Sequence, residues 1–492
     1  MNERGKSDGR VVPEKPANKA AKAAAERVEG RGPAKGNSLE DSVVRTQSRG
    51  AASTGLERVR QAAGRDRKQK FTALLHHVYD LGRLRTAYRA INPKAAKGVD
   101  GETWKSYGEK LEENLQDLSG RLKREAYRGS PTRGIEITKA DGRKRPLGIP
   151  TVEDKIVQRA VTEVLNAIYE EDFLDFSYGF RPGRDPHTAL DALATGLHKQ
   201  RVNWVLDADI RSFFDTLDHE WLIKFIEHRV GDQRIVRLIW KWLSAGVLKD
   251  GEWRRSEKGT VQGGSISPLL ANVYLHHAFD LWANRWRRTR AKGDMLIVRY
   301  ADDFIVGFEH RSEAEEFLAE LKERFLQFKL ELHPEKTRLI EFGRFADRGR
   351  GGSGSGRGRP DTFDFLGFTH ICGKTKGGRF MAVRHTMRKR MAAKLKEVKA
   401  VLRQRHNHSI PELGAYLKAV VQGHYNYYAV PLNFHAVSSF RWKVGRLWQR
   451  ALSRRSQKAN VPWERMSRLI AKWLPPARIC RLWPFPRIGV AT

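Results

Sequence analysis

The stretch Met295-Leu296-Ile297-Val298-Arg299-Tyr300-Ala301-Asp302-Asp303-Phe304-Ile305-Val306-Gly307 decides how this chain is read. Apolar runs flank the four residues Tyr300–Asp303, so the pattern predicts strand, tight turn, strand. The turn places two adjacent carboxylates, Asp302 and Asp303, at the tip of a hairpin. Another carboxylate, Asp209, ends the earlier apolar run Trp204-Val205-Leu206. Carboxylates delivered by separate strands can hold two Mg²⁺ ions side by side, an arrangement suited to in-line phosphoryl transfer. An isolated Asp-Asp turn is more often merely solvated, so its surroundings decide.

Those surroundings are strongly basic. The 492 residues carry a formal net charge of +35, with a pI near 10.3. Such a field favours a polyanion, and nucleic acid is the first candidate. The charge is uneven: residues 381–492 hold 23 Lys or Arg against three acidic residues, Glu397, Glu412 and Glu464. The two cysteines, Cys372 and Cys480, form no CxxC pair. A cysteine-rich zinc site or a disulfide framework is therefore not expected, and both read as packing residues. No apolar run is long enough to span a bilayer. The polar start Asn2-Glu3-Arg4 has no signal-like core. A cytoplasmic protein with no membrane partner is the expectation.

Residues 1–54 lack aromatics and are rich in Gly, Ala, Lys, Arg, Glu, Ser and Pro, which predicts disorder. A helical pattern then runs from Leu56 to about Ala90. A clearer helix covers Glu153–Tyr169, where Ile156, Val157, Ala160, Val161, Val164, Leu165 and Ile168 recur at helical spacing. Strands are expected at Gly134–Thr138, Trp204–Asp209, Met295–Tyr300 and Phe304–Phe308. Helices are expected at His219–Val230, Gln233–Ala245, Ser267–Arg288 and Ser312–Leu326. Residues 346–361, rich in Gly, Arg and Ser, read as a flexible insert between two strands. Beyond about residue 385 the pattern is helical, basic and aromatic. Mixed elements followed by a helical tail give an α+β core with an α appendage.

Three more segments carry chemistry. In Asp209-Ile210-Arg211-Ser212-Phe213-Phe214 a bulky ring follows the carboxylate five positions later, and a ring beside a nucleotide sugar can reject a 2′-hydroxyl by clash. Gly259-Thr260-Val261-Gln262-Gly263-Gly264-Ser265 is a glycine loop that lets backbone approach a nucleotide closely. Lys139 and Arg145 flank a turn ahead of Pro146-Leu147-Gly148-Ile149-Pro150 and are suited to gripping a triphosphate.

Taken in order, these segments resemble the reverse transcriptases encoded by bacterial group II introns. The resemblance runs from about Leu56 to the C-terminus. It is carried by Asn92-Pro93 with Gly98-Val99-Asp100-Gly101, by Arg145–Pro150, and by Tyr178-Gly179-Phe180-Arg181-Pro182-Gly183-Arg184. The Asp209 strand, Gln262-Gly263-Gly264, Tyr300–Asp303, Leu332-His333-Pro334-Glu335-Lys336-Thr337 and Phe365-Leu366-Gly367-Phe368 complete it. Val261 stands where the family usually has Pro, and Asp185-Pro186 where it often has Ser or Ala. The resemblance implies a right-hand polymerase: fingers and an antiparallel palm over residues 91–375, preceded by a helical extension at 55–90. A helical thumb and maturase region would occupy residues 376–492.

The same resemblance implies site roles. Asp209, Asp302 and Asp303 would bind two Mg²⁺ ions, with the Ile210 backbone as a further ligand. Asp207 is the nearby competitor, but the step to the ring selects Asp209. Lys139 and Arg145 would contact the triphosphate, Phe214 would exclude ribonucleotides, Gln262 would lie against the incoming nucleotide or template base, and Tyr300 would support the primer end. The implied partners are intron RNA, a DNA primer or target, and deoxynucleoside triphosphates. The setting would be a bacterial cytoplasm, with nucleoid association when the protein acts on DNA.

No acidic residue occurs from Leu413 to Pro462, and aromatics interleave there with bases. Cations grip phosphates, while aromatic faces stack on bases or fill a helical core. Trp442 and Trp448 are read as core residues. Arg454, Arg455 and Lys458, with Arg441 and Lys443, are read as RNA contacts. After Leu413 the chain holds one carboxylate, Glu464, and one cysteine, Cys480, too few for the ligand set of a metal-dependent endonuclease, so none is expected. The competing readings are an RNA-binding splicing cofactor with an idle polymerase site and a relative domesticated for DNA repair or phage defence. An RNA-templated RNA polymerase is a further one, disfavoured by Phe214.

Overall fold

A computed structural model describes residues 45–138, 144–249, 252–254, 258–260, 263–346, 360–375, 377–455 and 460–482. The first element is the helix Arg45–Arg65. Residues 45–54, read above as disordered, therefore belong to a helix, and the remainder of that segment lies outside the described residues. The single helical run expected as far as Ala90 is broken. Phe71 forms a bridge with Val230, and short helices follow at Leu75–Val78 and Leu81–Arg89. The break is held by one distant and one local carboxylate. Asp232 accepts hydrogen bonds from the Leu74 and Leu75 amides, at 2.8 and 3.0 Å, and Asp80 caps the next helix through the Arg83 amide. Distant and local carboxylates thus satisfy fresh helix N-termini.

The helix Val152–Asp172 is the spine of this part of the molecule. Thr151 caps it, and its buried residues include all seven of the apolar positions read from its spacing. The helices Arg45–Arg65 and Leu81–Arg89 pack on it. Arg229 ties the first of them down, donating to the Ala63 and Asp66 carbonyls and pairing with Asp172 at 2.9 Å.

The central sheet has four antiparallel strands in the order Met295–Tyr300, Asp303–Phe308, Trp204–Asp209, Arg338–Glu341. Alternation along the strands feeds two cores. Leu206, Ala208, Phe304 and Val306 face one apolar cluster. Val205, Ile305, Leu296 and Val298 face another, together with Ala189, Leu190 and Leu193 of the helix Pro186–Lys199. Burial on both faces explains why these strands read as near-continuous apolar runs.

A second sheet has the order Lys144–Ile149, Thr132–Thr138, Val247–Lys249, Glu252–Arg254. A third joins Phe363–Phe365, Phe368–Lys374 and Phe380–Thr386. The expected insert at 346–361 falls between the strands Arg338–Glu341 and Phe363–Phe365, and its residues 347–359 lie outside those described.

Four helices, Arg388–Gln404, Ile410–Tyr428, Phe434–Ser453 and Trp463–Trp473, enclose a third core that includes Val398, Leu417, Phe440, Val444, Trp448 and Ile470. A capping box between Ser409 and Glu412 starts the second of them. Trp448 is fully buried, but Trp442 is 56% exposed, which corrects its reading as core. Helical phase is the reason: Phe440, Val444 and Trp448 recur every four residues, and Trp442 falls between them on the outer face. Cys372 is half-buried, whereas Cys480 is exposed rather than packed. Among the described residues no helix is long and apolar enough to cross a membrane.

Candidate active site

The turn after Tyr300 is tight because Ala301 takes a left-handed conformation, φ 57°. That conformation is uncommon for a residue with a Cβ and must be held by its surroundings. The turn carries the chain from Tyr300 straight into the strand beginning at Asp303, and Asp303 sits opposite Tyr300 on one side and Asp209 on the other. Asp209 and Asp303 are therefore cross-strand neighbours. Asp303 opens an inner strand of the sheet and is crowded by like charge. Its carboxyl is pushed up to about 8, by desolvation first and then by Asp302 and Asp209. Repulsion of this kind is what a bound cation would relieve.

The segment Leu332–Thr337 runs alongside. Ile210 bridges Leu332, and the His333 amide donates to the Asp209 carbonyl at 2.8 Å. This alignment sets the Lys336 ammonium directly on the Asp209 carboxylate. Asp207, the competing carboxylate, pairs instead with Arg338 at 3.0 Å.

Behind the turn lies a side chain that sequence reasoning passed over. Arg299 is fully buried and uses all five of its N–H groups. Two go to Asp280 at 2.7 and 2.6 Å, and one each to Asn272 Oδ1 (3.0 Å), the Ala301 carbonyl (3.0 Å) and Ser177 Oγ (2.7 Å). The guanidinium thus holds the strained residue of the turn by its carbonyl. Asn272 in turn donates to the Gly179 carbonyl at 2.7 Å, and the Arg299 backbone pairs with Phe176 and Tyr178. The Tyr178–Arg184 segment is thereby fastened behind the carboxylates. Asp280 closes a π-helical stretch, His276–Asp280, between the helices Ser267–Leu275 and Leu281–Thr289. One visible signal was an arginine in an otherwise apolar strand run, which inside a protein demands a buried partner.

Phe214 and Tyr300, both read as nucleotide contacts, flank the Phe180 ring. Phe214 is half-buried, and the Phe180 ring stands 6.5 Å from both Phe214 and Tyr300. Thr260 donates its amide to the Phe214 carbonyl at 2.7 Å, and Gly259 donates to Leu217. Gly263, at φ 117°, lies so close to the strand Lys144–Ile149 that a Cβ would stand 2.5 Å from the Gly148 carbonyl. Gly259 and Thr260 therefore lie against the segment bearing Phe214, and Gly263 against the strand Lys144–Ile149. The backbone of Arg145 is opposite Ile137. Lys139 and Gln262 lie outside the described residues. Val261, which departs from the family pattern, lies there too. The other departure is accounted for: Asp185 caps the helix Pro186–Lys199 through the Thr188 amide, with proline at its first position.

The basic residues of the C-terminal helices divide. Arg441 donates to the carbonyls of Ile470, Leu474 and Pro475 at 3.4, 3.2 and 3.0 Å, which makes it a clamp on a helix end rather than a free cation. Arg455 donates to the His408 carbonyl. Lys443 contacts the Met391 sulfur at 3.9 Å. Arg454 is exposed, and Lys458 lies outside the described residues.

Among the described residues no group of three or more His, Cys, Asp or Glu is drawn together at metal-holding spacing. The donor chemistry nevertheless fits a hard divalent cation, because carboxylate oxygens are its preferred ligands and the crowded Asp303 requires positive charge. Asp209 would exchange the Lys336 ammonium for such an ion.

Residues 137–370 match the family described as reverse transcriptase (RNA-dependent DNA polymerase). The chain is 35% identical over 272 residues to protein YkfC of Escherichia coli (strain K12), covering 49% of this chain and 71% of that one. It is 36% identical over 225 residues to the group II intron-encoded protein LtrA of Lactococcus lactis subsp. cremoris, covering 45% of this chain but only 37% of LtrA. It is 29% identical over 129 residues to nuclear intron maturase 3, mitochondrial, of Arabidopsis thaliana, covering 26% of this chain and 18% of that one. With an antiparallel carboxylate-bearing sheet at the centre of the matched region, the chain belongs to the reverse transcriptases, the RNA-dependent DNA polymerases, of the kind encoded by group II introns.

Proposed function

We propose that this chain copies RNA into DNA at the Tyr300–Asp303 turn and binds intron RNA as a maturase, serving the splicing and retrohoming of a mobile intron by target-primed reverse transcription. The observation that carries the reading is the register that sets Asp209 against Asp303, beside Asp302. Residues 91–375 act as fingers and palm, and residues 376–492 as thumb and maturase region.

Reverse transcriptases normally use divalent metals. Asp209, Asp302 and Asp303 would hold two Mg²⁺ ions here, which when bound would activate the primer 3′-hydroxyl and offset charge on the reacting phosphate. The protein mainly positions and neutralises. Lys139 and Arg145 grip the triphosphate. Phe214, backed by Phe180, closes the space a 2′-hydroxyl would need. Gln262 and the glycine loop lie along the incoming base pair, and Tyr300 supports the primer end. Arg299 keeps the turn in its strained conformation, so the carboxylates are in place before substrate arrives.

Primer extension on an RNA template tests the polymerase half. The maturase half is tested by splicing of the cognate intron RNA at limiting Mg²⁺, with and without protein. Acceleration of both supports the reading. Extension without any effect on splicing removes the maturase role.

A further inference from the structure

Two exposed tryptophans stand together on the outside of the C-terminal helices. Trp442 is 56% exposed and Trp463 is 40% exposed. The Arg446 guanidinium lies against both rings, 5.7 Å from the centre of one and 5.1 Å from the other. Burial explains neither ring: the core beneath is filled by Trp448, Phe440, Val444, Met466 and Ile470. The arrangement is braced. Arg446 donates to Gln449 Oε1 at 3.0 Å, and Gln449 donates to the Val461 carbonyl at 2.9 Å, which pins the segment leading to Trp463 against the helix Phe434–Ser453.

The surrounding charge has one sign. Lys443 and Arg450 are exposed on the same helix, and Leu413–Pro462 contains no acidic residue. Glu464, next to Trp463, is the neighbouring exception. An aromatic face beside a guanidinium plane, within a basic field, matches an unpaired nucleotide: the base stacks on the ring or the guanidinium while its phosphates meet the cations. An acidic peptide would use the charges but leave the two rings idle. A base-paired helix hides the faces of its bases and would likewise use only the charges.

We propose that Trp442, Arg446 and Trp463 form a stacking site for an unpaired base of single-stranded RNA, separate from the polymerase turn. It deepens the maturase reading and rests on it only for the identity of the natural RNA. The site recognises single-strandedness rather than sequence, because every base offers a face to stack.

The test uses the full chain with its polymerase cleft already occupied by a primer–template hybrid. A 12-nucleotide unstructured RNA containing 5-iodouracil is added, and ultraviolet cross-links are mapped by peptide mass. Cross-links at Trp442 or Trp463 are expected. Fluorescence anisotropy of the same RNA should show Trp442→Ala weakening binding by about 5- to 100-fold, with Trp442→Phe restoring most of it, since stacking survives the smaller ring. Binding of an RNA duplex of equal length and primer extension on a short template should be unchanged by either variant. Cross-links confined to other residues, or equal losses for single strand and duplex in Trp442→Ala, would overturn the proposal. Failure here with intact primer extension leaves the polymerase reading standing. Equal binding of single-stranded DNA supports the stacking site and shows that it does not read the 2′-hydroxyl.

Discussion

Arg299 and Asp280 form a two-pronged ion pair, 2.7 and 2.6 Å, in which neither side chain reaches solvent. One partner adjoins the Tyr300–Asp303 turn, and the other ends a π-helical stretch on the far side of the same core. The remaining Arg299 donors hold Asn272, Ser177 and the Ala301 carbonyl. The pair therefore joins stability to geometry. Arg299→Met should cost about 3–5 kcal/mol, because it strands a buried carboxylate. The double variant Arg299→Met/Asp280→Leu should recover part of that stability without recovering activity, since the turn carbonyl still lacks its donor. Arg299→Lys should restore neither, because an ammonium cannot reach five acceptors. Chemical denaturation and kcat measured on the same preparations check this. Full activity in the double variant would sink the positioning role.

Lys336 neutralises Asp209 in the cation-free protein. Its side chain is half exposed, so the contact is a weak competitor. Lys336→Ala should lower the Mg²⁺ concentration for half-maximal binding by about 1.5- to 5-fold, the range for exposed ion pairs. Titration of the variant with Mg²⁺ in the absence of nucleotide reads this directly. An unchanged or raised midpoint would contradict it.

Asp303 carries the pH dependence. Its carboxyl is raised to about 8 by desolvation, then by Asp302 and Asp209, whereas an unfolded aspartate titrates near ~3.9. Between those values the folded state binds the extra proton, so cation-free stability falls as pH rises from about 4 to 8. Cation binding needs the carboxylate, so Mg²⁺ should bind more weakly as pH drops below 8 and should release a proton there. Asp303→Asn should flatten the cation-free stability profile over that window. Melting temperatures across pH, with and without Mg²⁺, decide the matter. A wild-type profile that rises through the window would be wrong for this account.

Phe214 is braced by Phe180 and by the loop that begins at Gly259. Phe214→Val should raise ribonucleotide incorporation relative to deoxynucleotide by roughly 10- to 200-fold, the range for filling or emptying a small apolar contact. Single-nucleotide extension with matched rNTP and dNTP measures the ratio. An unchanged ratio would remove the steric role.

Much of this site was legible because its residues break local rules. Asp302 and Asp303 interrupt apolar strand runs and Asp209 ends one, which drew attention to all three, while their roles came from the family resemblance. The C-terminal core followed from helical phase for Trp448, but Trp442 was misread because aromatic content was weighed without its position on the helix. The Arg299–Asp280 pair was missed as a pair, since nothing local in the sequence links positions brought together only by packing. The same holds for Lys336, which was quoted in its motif but reaches Asp209 only through the Ile210–Leu332 bridge. Arg441 was read as an RNA contact from its basic neighbours, yet its charge is used on a helix C-terminus. The early break after Arg65 arose from Asp232, far along the chain, which caps a helix that local pattern had run through.

The most direct measurement is extension of a DNA primer on an RNA template by purified protein with Mg²⁺ and deoxynucleotides, with Asp302→Ala alongside. The account predicts extension by the wild-type protein and its loss, by several orders of magnitude, in the variant, with RNA binding retained in both. Equal extension by the two proteins, or none by the wild type while RNA is still bound tightly, would contradict the claim that the Tyr300–Asp303 turn is a working polymerase centre.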